Sequence, residues 1–486
     1  MGVVLNQSFK NMMTTYFGFV IGAINVLFLY PHFLSPEYYG LVTFLLSAST
    51  LIWPIMGLGV HNTIVKFYSS YKTESDQHKL LTFALIFPLF IGIVLGIFGF
   101  VFYEAILAYF NKNELVQPYV WLIFVVAITI AYFEVFFAWG KLKFKSVFGN
   151  FMREVFHRVC ITILLALVYF DYLSVEEFIY SLVFVYLART LVIMVYAFKL
   201  LPPTLDFRLP HNKSSIFKYS FLIFIAGTVA TALLDLDKVM IEHYLPIENV
   251  SVYGIAVYVA SVIAVPSRAM QQILHPITAS LLNNKQRVEL DKMYKKSSVT
   301  LLVVSGLIFT LIITNINSLY YLMPDEYEIE VSILLLLCGI KLFDNLLGNS
   351  NSILLNSDYY RLILVLGIAV LLVAFILNLW LIPVLGLLGA AIASFTAFFL
   401  YDSFKLVIVY QKLNLHPFTL KTFQVMILIT LLSFIFYYLE FNLPPLVSII
   451  LKSSLISIIY LAVTYFLNFS NDITETINKY LKKQTP

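Results

Sequence analysis

From Leu362 to Leu381 the chain runs without a single charged side chain, and runs of this kind return from one end to the other. A helix needs about 20 such residues to cross the roughly 30 Å of hydrocarbon in a bilayer, at about 1.5 Å per residue. In lipid every backbone N–H and C=O must be satisfied internally, so only helices or a closed barrel can span. Barrel strands read as short alternating segments, whereas these runs are long and continuous. Composition agrees: 60% of the 486 residues are hydrophobic and 12% charged, against about 25% charged in soluble domains. The expected fold class is an all-α polytopic membrane protein.

About fourteen transmembrane helices are read from these runs. They lie near Thr14–Leu34, Tyr39–Ile64, Leu80–Tyr103, Tyr119–Gly140, Val155–Phe170, Phe178–Phe198 and Tyr219–Tyr244. The rest lie near Val252–Leu274, Val299–Tyr320, Val331–Leu347, Leu362–Leu381, Pro383–Ser403, Thr422–Tyr438 and Leu446–Leu467. Lysine and arginine concentrate in alternate loops, among them Lys66, Lys72, Lys141, Lys143, Lys145, Arg153, Arg208, Lys213, Lys292, Lys405, Lys412 and Lys421. The other loops carry Glu37, Asp171, Glu176, Glu177, Glu248, Asp325, Glu326 and Glu440, with Lys112 the exception. Basic loops face the cytoplasm. The expected localisation is therefore the inner (plasma) membrane, multi-pass, with both termini cytoplasmic. Met1–Phe9 has no basic n-region or cleavage site, so the first span is expected to be retained. The tail Asn471–Lys483 reads as an amphipathic surface helix with Ile473, Ile477 and Leu481 on one face.

Several function classes drop out. The net charge of +4 is spread over loops, which gives no nucleic-acid surface. Cys160 and Cys338 lie inside apolar runs and form no disulfide or metal spacing. No phosphate-binding loop, zinc motif or catalytic constellation is present, so neither an enzyme nor a cofactor is expected.

The chain also repeats itself. His32-Phe33-Leu34, Glu37 and Tyr39-Gly40 recur as His243-Tyr244-Leu245, Glu248 and Tyr253-Gly254, an offset of about 211 residues for the first half and about 214 for the Tyr-Gly. Asn113-Glu114 recurs as Asp325-Glu326. The expected organisation is two six-helix lobes in parallel pseudo-repeat, 1–213 and 214–415, followed by two further helices and the tail in 416–486.

Four stretches carry a family resemblance. Asn378-Leu379-Trp380-Leu381-Ile382-Pro383-Val384-Leu385-Gly386-Leu387-Leu388-Gly389-Ala390-Ala391-Ile392-Ala393-Ser394 resembles the eleventh-to-twelfth-helix signature of polysaccharide transporters. These are the O-antigen flippase branch of the multidrug/oligosaccharidyl-lipid/polysaccharide (MOP) exporter superfamily. Leu34-Ser35-Pro36-Glu37-Tyr38-Tyr39-Gly40 resembles the loop after that family's first helix. Asp237-Lys238 with Tyr253-Gly254 is similar to the start of its second lobe, and Met323-Pro324-Asp325-Glu326-Tyr327 to the loop after its ninth helix. The resemblance implies a flippase for polyprenyl-diphosphate-linked oligosaccharide working by alternating access. Its implied partners are that lipid-linked glycan, membrane lipids and other polysaccharide-assembly proteins, and H⁺ or Na⁺ is the candidate coupling ion. Peptidoglycan-precursor flippases of the superfamily carry an Arg-Asp pair in the first helix, where this chain has only Asn25. A cation-coupled drug exporter and a membrane glycan polymerase or ligase are the alternative readings.

Ionisable residues at membrane depth are costly and face a cavity or a partner. Arg268, Arg189, Lys341 and Arg158 are candidate cavity charges for the anionic diphosphate that the resemblance implies. Glu134, Asp235, Asp237, Lys238 and Asp344 are candidates for ion coupling or for plain charge pairing. Lys341 and Asp344 are three apart on one helical face, close enough to pair with each other.

Overall fold

A computed structural model describes residues 2–110, 113–143, 145–208, 210 and 212–482. Lys112, Lys483 and the side chains of Ile477 and Leu481 lie outside the described residues. Helix is the only regular structure among them. Eleven helices there are long and apolar enough to cross a membrane.

The chain divides into two compact units, Met1–Gly254 and Ile255–Pro486. The first contains α1 (Gly2–Ile24), α2 (Pro36–Gly57), α3 (Val60–Phe67), α4 (Glu74–Val101), α5 (Val120–Leu142), α6 (His157–Tyr169), α7 (Val175–Leu200) and α8 (Lys213–Tyr244). The division falls one span beyond the repeat boundary, because α8 packs along α2 and α3. The second unit contains α9 (Glu248–Ser261, shared across the division), α10 (Val265–Asn283), α11 (Arg287–Tyr320), α12 (Val331–Leu346) and α13 (Ser350–Leu355). It continues with α14 (Tyr360–Ile408), α15 (Leu420–Tyr438), α16 (Pro445–Phe466) and α17 (Asn471–Lys482).

Local sequence explains where the helices start and stop. Ser174 caps α7 through the Glu177 amide while Glu177 reaches back to the Ser174 amide, closing both orphan groups in a capping box. Thr73 caps α4 through the amide of Asp76. Three π-turns occur among the described residues, and two of them, Asn25–Leu29 after α1 and Met152–Phe156 before α6, lie in regions that pack together. Asn25 is buried there. It donates to the carbonyl of Arg158 at 2.9 Å and accepts from the Thr162 hydroxyl at 2.7 Å. Both contacts fall in the first turns of α6, just after its π-turn. The one strong polar group of the first span therefore staples it to the fifth.

The repeated Tyr-Gly motif has a packing cause. A Cβ on Gly40 would collide with the carbonyl of Ile247, and one on Gly254 would press on Thr43. The Ser251 hydroxyl donates to the Pro36 carbonyl at 3.3 Å. The two copies of the loop meet each other within the first unit, and each Gly lets its helix approach.

Candidate functional site

The first unit gathers cations around one helix. On α5, Phe133 and Phe137 are one turn apart and share a face. Arg189 of α7 lies over Phe133 at 4.2 Å and over Tyr186 at 4.6 Å. Arg153, in the π-turn before α6, lies over Phe137 at 4.5 Å, and Lys141 over the same ring at 4.1 Å. Glu134, next to Phe133 in sequence, forms an ion pair with Arg153. Arg158 meets Glu154 one turn earlier, at 3.5 Å. Four cations thus share two carboxylates.

Some hydrogen-bonding capacity here is left over. Arg189 is 5% exposed, and its Nε has no hydrogen-bond partner. The buried His157 Nδ1 also lacks one, whereas Arg158 Nη1 is the atom that faces Glu154. Ring faces stabilise a guanidinium by about 0.5–2 kcal/mol each, which holds these cations in place without neutralising them. Such a cluster can grip an anion whose charge is spread over several oxygens, because guanidinium forks match phosphate geometry.

The second unit holds a different kind of cluster. Asp402 and Lys405, one turn apart on α14, pair at 2.6 Å with both side chains 3% exposed. Asp344 of α12 reaches Lys405 at 3.6 Å. Lys341 places its ammonium over the Phe398 ring at 4.9 Å. Asp402 borders a cavity of about 230 Å³ with Phe343, Phe395 and Phe399. This quartet is charge-balanced.

The remaining candidates are dispersed. Asp235 pairs with Lys238 on α8. Asp237 is buried and accepts from the Tyr253 hydroxyl at 2.9 Å. Arg268 is exposed on α10, beyond the 3₁₀ turn Val262–Ala264, with no ion-pair partner among the described residues. Among those residues no group of three or more His, Cys, Asp or Glu is placed to hold a metal.

The structure corrects one feature of the charge pattern. Lys405 and Arg153 belong to the series read as loop cations, yet Lys405 is buried and Arg153 closes on Glu134. Their helices run on past the hydropathic boundary, so loop counting places them too far out. Lys452 escaped notice altogether: it is 4% exposed on α16 and donates to the Thr314 carbonyl at 3.0 Å. Its one sequence signal is a lone lysine inside the run Leu446–Leu467.

Residues 32–320 match a family described as "Polysaccharide biosynthesis protein". No curated protein matches the chain. Among solved structures, the lipid II flippase MurJ in an inward closed conformation superposes with a TM-score of 0.72 at 16% identity, covering 94% of this chain and 98% of that one. An inward-facing multidrug resistance MATE transporter of the MOP superfamily gives 0.64 at 12% identity, covering 84% and 98%. A MOP superfamily transporter from Pyrococcus furiosus, described as having a binding pocket of reverse polarity, gives 0.54 at 14% identity, covering 85% and 95%. At these identities the likeness is one of fold, and the fold is that of the MOP transporters.

Proposed function

The chain belongs to the polysaccharide biosynthesis protein family, and on that basis we propose that this MOP-type, multi-pass transporter is a flippase for polyprenyl-diphosphate-linked oligosaccharide. The observation that carries the reading is the cation excess in the first unit, four basic side chains to two carboxylates around α5. Insertion scales put each mid-membrane Arg at about 2.5–3.5 kcal/mol. A fold that keeps several of them incompletely neutralised is suited to a ligand that supplies the missing negative charge. A diphosphate does so, and its polyprenyl chain can remain in lipid.

Transport proceeds by alternating access, with the sugar head passing through polar surroundings. Arg189, Arg158, Arg268 and Lys341 are the proposed substrate contacts. Glu134, Asp344, Asp235 and Asp237 are the proposed groups for a coupling H⁺ or Na⁺, and Lys238 pairs with Asp235. The site is the inner membrane with both termini cytoplasmic, and other polysaccharide-assembly proteins are the partners that deliver and consume the glycan. A drug-export reading fits less well, because cationic drugs call for an acidic cluster and this one is basic.

Deletion of the gene in a strain without paralogues tests the reading. Lipid-linked repeat units are expected to build up on the cytoplasmic leaflet and surface glycan to fall. Arg189→Gln and Arg268→Gln, at normal protein levels, are each expected to cut glycan export about tenfold or more, the scale of one lost charged hydrogen bond. Surface glycan at wild-type level in the deletion strain overturns it.

A further inference from the structure

The second span breaks near its end, and a cavity opens beside the break. Pro54 lies inside α2, and the helix stops at Gly57. Leu58 and Gly59 then take left-handed conformations, with φ of 37° and 70°, before the chain resumes as α3. A non-glycine residue in that region is uncommon and is held only by its surroundings. Here the holding contacts are visible. The Leu58 amide donates to the Pro54 carbonyl at 2.9 Å. The hydroxyls of Thr63 and Ser220 are 2.6 Å apart, pinning α3 to α8. Gly59 has no room for a Cβ, because the Ser220 carbonyl and Ile223 fill that space.

Just past this pin, α8 leaves a cavity of about 250 Å³ lined by Trp53, Gly59, His61, Asn62, Phe224 and Gly227. A Cβ on Gly227 would meet nothing within 4 Å. Trp53 and His61 pack at a tilt, with ring centroids 5.6 Å apart and planes inclined by 56°. One edge of Trp53 rests near Gly57, within the small core around Met56, Ala127 and Ala131. His61 Nδ1 is buried without a partner, as is the hydroxyl of Thr228 beside Gly227. Asn62 is exposed at the cavity wall.

We propose that this cavity is a saccharide subsite, in which one sugar ring of the lipid-linked head stacks on Trp53 and bonds to His61 and Asn62. The inference rests on the flippase reading above. A pyranose ring has C–H faces that suit an indole and a rim of hydroxyls that both donate and accept. An indole platform bordered by an imidazole and a carboxamide offers both kinds of contact. A purely apolar guest would leave His61 Nδ1 unsatisfied, and a bare anion would make no use of the indole. The position also fits: α3, which carries His61, packs on α5, beside the cations Lys141 and Arg153. A diphosphate gripped by those cations would carry its first sugar toward Trp53.

Binding of two probes to the purified full-length protein in nanodiscs decides the matter: a polyprenyl diphosphate, and the same lipid bearing one N-acetylhexosamine. The wild type is expected to bind the sugar-bearing probe about tenfold more tightly. Trp53→Ala is expected to abolish that ratio while leaving affinity for the bare lipid unchanged, Trp53→Phe to preserve much of it, and Arg189→Gln to weaken both probes alike. A wild type that binds both probes equally, or a Trp53→Ala protein that keeps the ratio, overturns the subsite and leaves the flippase standing. If neither probe binds the wild type, the flippase reading falls and the subsite with it.

Discussion

Asn113 commits its whole side chain to one loop. Its Nδ2 donates to the Glu242 carbonyl at 2.7 Å, the Glu242 carboxylate at 3.0 Å and the Leu245 carbonyl at 3.3 Å, and its Oδ1 accepts from the Ile247 amide at 3.0 Å. Both Asn113 and Glu242 are buried. Asn113→Ala would strand these groups without solvent, at about 2–4 kcal/mol, so the melting temperature of the detergent-purified protein is expected to drop by several degrees. Asn113→Asp is expected to be no better, because a carboxylate cannot donate to the two carbonyls and faces Glu242. A wild-type melting curve for both variants would show that the loop is held by something else. The sequence marked Asn113 as a member of a repeat, opposite Asp325, but could not name its partner. Periodicity reports what lies one turn away, and Glu242 lies on a distant helix. Arg189 and Glu134 were legible as candidates because a charge within an apolar run is conspicuous. Arg153, which completes the Glu134 pair, was hidden by its place among ordinary loop cations.

At the scale of helices, the Asp402–Lys405 pair shows how a buried charge is kept. The two residues are an i,i+3 pair on α14, and Asp344 of α12 joins from the facing helix. Removing one member of a buried pair leaves the other unpaired, at about 3–5 kcal/mol, whereas replacing both with apolar groups is often neutral or better. Lys405→Met and Asp402→Leu are therefore each expected to lower stability strongly. The double variant is expected to recover most of the loss, a large coupling energy in a double-mutant cycle. Additive single effects in thermal unfolding would mean that the pair is not the partner arrangement that matters. If Asp344 also serves coupling, the double variant is expected to fold yet transport poorly, which separates stability from function. The helices themselves were the most readable level, because hydrophobic length marks them, although it runs Tyr39–Ile64 together across the break at Leu58 and Gly59. What hydropathy could not see was the π-turn at Met152–Phe156, which changes which side chains face α1 without changing composition.

For the molecule as a whole, α14 decides how the chain is threaded. The candidate span 361–413 is 53 residues long, about 80 Å at about 1.5 Å per residue, while the hydrocarbon layer is about 30 Å thick. It cannot cross once as a straight helix. Within it Gly386 has φ 59° and ψ −136°, a conformation that belongs almost entirely to glycine. A Cβ on Gly389 would collide with the carbonyl of Leu381, although eight residues of straight helix span about 12 Å. The chain therefore doubles back at Gly386, and the segment is a helical hairpin. Sequence reading put two spans here and placed their joint at Pro383. The proline is tolerated inside the helical stretch, and the reversal comes three residues later, where glycine permits the backbone. Val384, at the tip, is 70% exposed. With Cys160 and Cys338 replaced by alanine, Val384→Cys is expected to react with an impermeant maleimide on intact spheroplasts, and His416→Cys only after permeabilisation. Gly386→Ala is expected to cost about 1–3 kcal/mol from the strained backbone. Should Val384→Cys label only from the cytoplasmic side, the parity of every span after it would reverse, and the orientation drawn from the basic loops would have to be abandoned for this half of the chain.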